Sequence, residues 1–270
     1  MKIIVSHDVD HLTASEHFRD SQIVRFFFRA FMERWARSIS AREFVQRCRA
    51  TFRNQWQNLE AQMSFDKKHD IPSTFFIAVN TGCHLRYKPS AAQPWMRRIR
   101  DQGFDIGVHG IAYRSMAEIL REREMFKRLS GLDHFGIRIH YLRRKARTFD
   151  YLDEAGYLFD STLEQLRAPF KHGALWEVPL HLMENRLFYH GSFYQNRSLE
   201  QARLQTMHLL KKLEERGFEY VTLLFHDRYF HEGFMSLKSW YVWVVSWCRD
   251  NGWEFTSFRE AVQNLESITA

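Results

Sequence analysis

Cysteine, proline and glycine are all scarce in this 270-residue chain: three, five and twelve residues respectively. Three widely spaced cysteines, Cys48, Cys83 and Cys248, make neither a disulfide framework nor a zinc finger, which fits a reducing compartment. Five prolines argue against a loop-dominated structure, and no Gly/Ser/Pro-rich linker or low-complexity tract divides the chain. No apolar run approaches the ~18 residues of a membrane helix. The first apolar stretch, Ile3 to Val5, is far too short for a signal peptide. A cytoplasmic location and a single domain spanning 1–270 are therefore expected. Signatures of nucleic-acid binders (paired finger spacing, an aromatic ribonucleoprotein motif, a basic zipper) are also absent, so no nucleic-acid partner is expected.

What the chain does have is apolar content, 45%, and a formal charge of +7 from 39 basic and 32 acidic residues. The first allows a sizeable core; the second favours anionic partners. Short apolar segments read as buried parallel strands: Ile3 to Val5, Thr74 to Val79, Ile106 to Val108, Gly136 to Ile139, Glu177 to Leu180, Tyr220 to Phe225 and Glu254 to Ser257. Helical patterns lie between most of them. They run 94–102, 115–130, 148–155, 199–216 and 237–251, and each stops at a glycine (Gly103, Gly131, Gly156, Gly217, Gly252). Alternating strands and helices predict βαβ units and a closed or nearly closed parallel barrel.

In such barrels chemistry collects at strand ends. Asp8 and Asp10 end the first segment, His109 follows the third, Arg138 and His140 end the fourth, and His226 and Asp227 end the sixth. Asp8 and Asp10, two apart, fall on one side of an extended chain. With His7 and His11 beside them they read either as a polar turn or as a metal or acid/base site. One segment breaks the alternation. Residues 18–63 interleave aromatics (Phe26 to Phe28, Phe31, Trp35, Phe52) with arginines, eight of them between Arg25 and Arg53, predicting two basic amphipathic helices broken near Ser38 to Ser40. Ser40 caps the second, with Glu43 three residues on. They read as an insertion packed on the barrel with its arginines in water. The other readings are an interfacial pair docking on anionic lipid, or an oligomer surface.

The order of motifs resembles the polysaccharide deacetylases, the NodB-homology or carbohydrate esterase family 4 group, through almost the whole chain. The resemblance rests on the strand ending in Asp8-Val9-Asp10, on Ile71-Pro-Ser-Thr-Phe-Phe-Ile77, and on Gly103-Phe-Asp-Ile-Gly-Val-His-Gly110. It continues through Gly136-Ile-Arg-Ile-His-Tyr-Leu-Arg143, the Gly-Tyr-x-x-Asp-Ser-Thr stretch at 156–162, and Leu223-Leu-Phe-His226. It implies an α/β fold, a deformed (β/α)7 barrel, here with a helical insertion after the first strand. It also implies metal-dependent hydrolysis of an N-acyl group on an amino sugar. By resemblance Asp8 is the general base, Asp10 the metal carboxylate, His109 the first metal histidine, Arg138 the partner of the base and His226 the general acid.

Two positions depart from the family pattern. Val9 separates carboxylates that are usually adjacent, and Tyr113 stands where the second metal histidine is usual. His140 is the expected substitute ligand, as in a subgroup sharing Arg-x-His-Tyr-Leu-Arg. An Asp/His/His set suits Zn²⁺ and also Fe²⁺, Co²⁺ or Ni²⁺. Asp227 or Asp160 would orient His226. Trp176, Tyr141, Tyr229 and Trp240 read as sugar-stacking candidates or as core. Arg143, Arg144, Lys145 and Arg147 read as contacts to a nucleotide- or lipid-linked diphosphate, or as a solvated helix entry. The function expected is removal of an acetyl or formyl group from an amino sugar in surface-polysaccharide (O-antigen or capsule) biosynthesis. The alternatives are a catalytically silent carbohydrate-binding or scaffold barrel, prompted by Val9 and Tyr113, and a peripheral membrane module.

Overall fold

Every residue of the first strand, β1 (Lys2–Val9), except its first is buried, because β1 has neighbours on both sides. The computed structural model describes residues 1–269. The other strands are β2 (Thr74–Ile77), β3 (Asp105–Gly110), β4 (Ile137–Ile139), β5 (Phe159–Asp160), β6 (Phe170–His172), β7 (Leu175–Glu177), β8 (Leu182–Met183), β9 (Tyr220–Leu224) and β10 (Glu254–Thr256). Their order is β6-β7-β5-β4-β3-β2-β1-β9-β8, with β10 against the start of β1. All pairings are parallel except the β6–β7 hairpin. The result is the expected deformed α/β barrel, a curled sheet with helices outside it.

The expected strand at Glu177 to Leu180 is the main correction. Those residues form the seam of the barrel, not a strand of their own. Leu175–Glu177 runs beside β5, and Leu182–Met183 runs beside β9. Between them Val178 N donates to Asp160 O at 2.9 Å and Leu180 N to Leu163 O at 2.8 Å. Pro179 has no N–H to give a ladder, and its carbonyl instead accepts from Thr222 Oγ1 at 2.5 Å. One extended segment therefore crosses from one edge of the curled sheet to the other.

The helices are α1 (Gln22–Trp35), α2 (Ala41–Phe52), α3 (Leu59–Lys68), α4 (Pro89–Asp101), α5 (Met116–Ser130), α6 (Thr148–Glu154), α7 (Glu184–Phe188), α8 (Leu199–Glu215), α9 (Met235–Asp250) and α10 (Phe258–Thr269). Four of the five expected helices agree within two residues at each end, while α4 begins earlier, at Pro89, where a proline costs no hydrogen bond. The Ser40/Glu43 capping box forms as expected. None of the described helices is long and apolar enough to cross a membrane.

The insertion holds three helices, not two, since α3 follows α2. Its arginines are not all in water. Arg47 is buried, paired through Nη1 with the buried Glu33 and donating from Nε to Gly233 O at 2.6 Å. A buried carboxylate on α1 draws this guanidinium inward, because neither charge is tolerated alone. His7, read beside the two aspartates, points the other way. Its Nε2 lies 2.7 Å from Asp66 of α3 and its Nδ1 2.8 Å from Phe225 O.

Below the seam, Asp160 of β5 and Glu177 of β7 are register partners, both buried and in hydrogen-bond contact. Burial pushes both carboxyls above their ordinary values, Asp160 to about 6, and the charge of Asp160 pushes Glu177 further. A raised acid stabilises the fold below its unfolded value of about 4 and loses that contribution as pH rises through the folded value. Glu177→Gln keeps a hydrogen-bonding amide but removes one titration. Its melting temperature relative to wild type is expected to climb as pH rises above the ordinary carboxylate range. A pH-independent difference in melting temperature would contradict the raised Glu177 carboxyl.

Candidate metal centre and active-site cleft

Asp8 is the penultimate residue of β1, and Asp10 lies just beyond its end. The residue between them, Val9, is buried in the core. Its carbonyl accepts from the hydroxyl of Tyr87 at 2.7 Å, which anchors the strand end. His109 of β3 stands in register with Arg138 of β4, and His140 is the first residue after β4. Strand pairing thus delivers five of the six expected site residues to one rim.

Asp10, His109 and His140 converge. Asp10 Oδ1 lies 3.1 Å from His109 Nε2 and 3.3 Å from His140 Nδ1, and these two nitrogens are 2.9 Å apart. The other ring nitrogens settle their character. His109 Nδ1 faces Arg138 O at 3.1 Å, and His140 Nε2 faces Cys83 O at 3.0 Å. A carbonyl only accepts, so both of those nitrogens carry the proton. In the neutral imidazole the nitrogen aimed at Asp10 is then a lone pair. Two imidazole lone pairs and a carboxylate oxygen within 4.8 Å of one another form a donor set that suits a cation, with the outward N–H bonds typical of metal-ligating histidines. His140 occupies the place the sequence reading gave it. Tyr113 stays apart, its hydroxyl accepting from Arg114 Nε at 2.8 Å.

Asp8 sits beside the cluster without joining it. Its Oδ1 accepts from Arg138 Nη1 at 2.9 Å, and its Oδ2 lies 3.9 Å from His109 Nδ1. Burial alone would raise the Asp8 carboxyl, but the charge of Arg138, with His109 and His226, outweighs it and holds the group below its ordinary value. Arg138 is fully buried and held on every side. It donates to Ser6 Oγ (2.8 Å), Ser161 O (3.0 Å) and Ser161 Oγ (2.9 Å), and its guanidinium lies 4.4 Å from the Phe76 ring centre.

His226 faces the cluster from across the barrel, with Nε2 3.6 Å from Asp10 Oδ2. Neither residue expected to orient it does so. Asp227 is turned away and accepts from Asn58 N at 2.9 Å, while Asp160 bonds Thr162 and Glu177. The orienting group is Glu184, the first residue of α7, whose Oε1 lies 2.5 Å from His226 Nδ1. Burial would lower the His226 imidazole, but Glu184 outweighs it and holds the ring well above its ordinary value. The sequence carried no signal for Glu184, because α7 is five residues long and has no amphipathic period.

These groups open into a cavity of about 570 Å³. Tyr141 and Tyr229 line it. Trp176 and Trp240 belong to the core, Trp240 donating to Thr206 Oγ1 at 2.9 Å. The basic run Arg143, Arg144, Lys145 and Arg147 is not part of the lining; Arg29, Arg186 and Arg228 are. Arg143 instead buttresses the ligand loop, donating from Nε to His140 O at 3.1 Å. His11 also lines the cavity and ends a relay. Asp20 accepts from His17 Nδ1 (3.0 Å), so His17 Nε2 accepts from His11 Nδ1 (2.8 Å). His11 Nε2 is left as an acceptor on the cavity wall.

No family model matches the chain, and no curated protein matches it. Solved structures do. A Mycobacterium smegmatis protein described as a polysaccharide deacetylase superposes with TM-score 0.64 at 15% identity, covering 99% of this chain and 91% of that one. PuuE allantoinase gives 0.65 at 11% identity over 98% and 89%. A Pseudomonas aeruginosa protein described as a polysaccharide deacetylase gives 0.63 at 14% identity over 97% and 88%. A likeness at these identities establishes architecture alone. The chain has the polysaccharide deacetylase fold.

Proposed function

We propose that the protein is a metal-dependent N-deacylase that removes an acetyl or formyl group from an amino sugar during surface-polysaccharide (O-antigen or capsule) assembly. The observation that carries this reading is the convergence of two imidazole lone pairs and the Asp10 carboxylate beside an arginine-held Asp8. Polysaccharide deacetylases among the structural neighbours support the reaction class. Asp10, His109 and His140 would hold the ion, Zn²⁺ or else Fe²⁺, Co²⁺ or Ni²⁺. When bound, a divalent ion there supplies Lewis acidity toward the amide carbonyl and lowers the pKa of water.

The chain's own residues supply the proton transfers. Arg138 occupies Asp8 Oδ1, so Oδ2 is the oxygen that takes the proton of the attacking water. Glu184 holds His226 at Nδ1 and thereby presents Nε2–H to the departing amine nitrogen. Carboxylate and free amine leave as products. The silent-barrel alternative drew on Val9 and Tyr113; the gathering of Asp10, His109 and His140 without either residue supports the metal-site reading over it.

Metal analysis by plasma mass spectrometry tests this directly. Wild type is expected to hold one Zn²⁺ or Co²⁺ per chain, while His109→Ala and His140→Ala lose it. Asp8→Asn is expected to keep the ion and lose about 10²–10⁴-fold in turnover of an acylated amino sugar. A wild-type protein that cannot be loaded would sink the proposal. Glu184→Gln separates positioning from structure: kcat is expected to fall about tenfold or more with KM and metal content unchanged. A KM effect alone would remove Glu184 from the reaction.

A further inference from the structure

On the insertion side of the cavity, in its wall and directly behind it, positive charge exceeds what the carboxylates there neutralise. Arg29 and Arg47 share one carboxylate, Glu33: Arg47 Nη1 pairs with Oε2, and Arg29 Nε donates to Oε1 at 3.2 Å. Oε1 also accepts from Gln195 N at 2.8 Å. Arg228, just after β9, has no carboxylate within ion-pair distance among the described residues. It packs instead against Trp56 and Phe26, with Cζ 3.9 and 4.6 Å from the ring centres. The other acids of the cavity neighbourhood are directed at other groups: Asp8 at Arg138, Asp10 into the His109/His140 ligand cluster, Glu184 at His226, Glu164 at Arg186. Three guanidiniums against one carboxylate leave two positive charges (3 − 1 = 2).

The unused donors point to where those charges act. Arg29 Nη2 and Arg228 Nη2 are both buried without a hydrogen-bond partner. Both arginines line the main cavity and also a recess of about 100 Å³ beside it, shared with Gln22 and Tyr229. Buried guanidinium N–H groups are costly unpaired and favour an anion with several acceptor oxygens. We propose that Arg29 and Arg228, with Gln22 and Tyr229, form a phosphoryl subsite. On the deacylase reading above, the amino sugar arrives as a phosphate or diphosphate conjugate.

Isothermal titration with inorganic pyrophosphate tests the subsite without any turnover, so it stands or falls separately from the deacylase reading. Wild type is expected to bind. Arg228→Gln should weaken binding at least about tenfold, the loss of one charge-assisted hydrogen-bonding group. Arg228→Lys should fall between, and unchanged melting of both variants verifies folding. His109→Ala should bind as wild type does. No binding by wild type, equal binding by Arg228→Gln, or loss in His109→Ala (the anion then sitting on the ion) would overturn the proposal. Glucuronate binding as tightly with the same dependence on Arg228 would overturn the phosphoryl assignment. Displacement of pyrophosphate by uridine diphosphate supports a nucleotide conjugate, and displacement by geranyl diphosphate a lipid conjugate.

The outer side of α1 carries a separate feature. Val24, Phe28, Phe31 and Trp35 repeat at helical spacing and are all exposed, Trp35 at 77%, and Phe52 of α2 adds another at 83%. Between residues 21 and 53 six arginines (Arg25, Arg34, Arg37, Arg42, Arg49, Arg53) are exposed, whereas both carboxylates, Glu33 and Glu43, are buried. An apolar stripe rimmed by cations, with no exposed acid between residues 21 and 53 and only Arg42 paired with an exposed carboxylate (Glu232, 3.3 Å), complements an anionic bilayer surface. The stripe reaches the cavity mouth, where Phe28 stacks on Phe193 at 6.1 Å.

We infer that this face rests on anionic lipid. The full-length protein is expected to co-sediment with phosphatidylglycerol-containing vesicles and not with pure phosphatidylcholine, with binding reduced at high salt. Phe31→Ser and Arg34→Glu should each weaken it by about threefold or more. Absence of binding, or equal binding to both vesicles, overturns the inference. So does a dimer in sedimentation equilibrium that dissociates in Trp35→Ser, since a second copy would then cover the stripe.

Discussion

Two backbone carbonyls decide the character of the cleft. Arg138 O and Cys83 O each take a ring N–H, and in the neutral rings that leaves the inner nitrogens of His109 and His140 as lone pairs. Without those carbonyls the same histidines beside Asp10 could satisfy the carboxylate as ordinary hydrogen-bond donors. The arrangement is held at some cost. Cys83 and His84 adopt left-handed backbone (φ 48° and 76°), as do Tyr141 and Leu142 (φ 58° and 52°). Such conformations disfavour residues with a Cβ and persist where surrounding structure imposes them. Here both pairs adjoin the two groups that must meet, the carbonyl of Cys83 and the ring of His140.

Burial in this barrel is arranged so that each charge near the centre has a defined counterpart. Arg138 holds Asp8, Glu184 holds His226, and Asp66 collects His7, Gln62, Ser73 and Tyr241 behind β1. Glu122 of α5 fixes the turn after β3 by accepting from Ile111 N and Ala112 N. A buried charge left alone would be expensive, so these pairs restrict how the strand ends can move. The exception is the arginine group on the insertion side, where positive charge exceeds negative.

Much of this was legible in the sequence because strand ends follow from simple patterns. An apolar run that stops at a polar residue locates Asp8, His109, Arg138 and His226 without any tertiary information. Helices α5, α6, α8 and α9 were legible from their period and their terminal glycines. Glu184 was not, since a five-residue helix between irregular segments has no period to read. Asp227 and Asp160 were both open as partners of His226, but Asp227 starts a 3-10 turn that carries its carboxylate to Asn58 N, and Asp160 sits on β5 beside Glu177. Arg47 looked solvent-facing because its partner, Glu33, lies fourteen residues away on another helix. The strand expected at Glu177 to Leu180 fell between β7 and β8, because an apolar run marks an extended segment without saying which strands it pairs with.

That change of neighbours at Pro179 links closure of the barrel to its chemistry. The segment that leaves β5 and reaches β9 continues directly into Glu184, so the partner of His226 is mounted on the end of the closing seam. β8 is two residues long and holds β9 by a short ladder. Short ladders at a sheet edge are where fraying begins. A barrel that loosens there would release Glu184 while β1, β2 and β3 stay packed, and would disarm its proposed acid well before it unfolds.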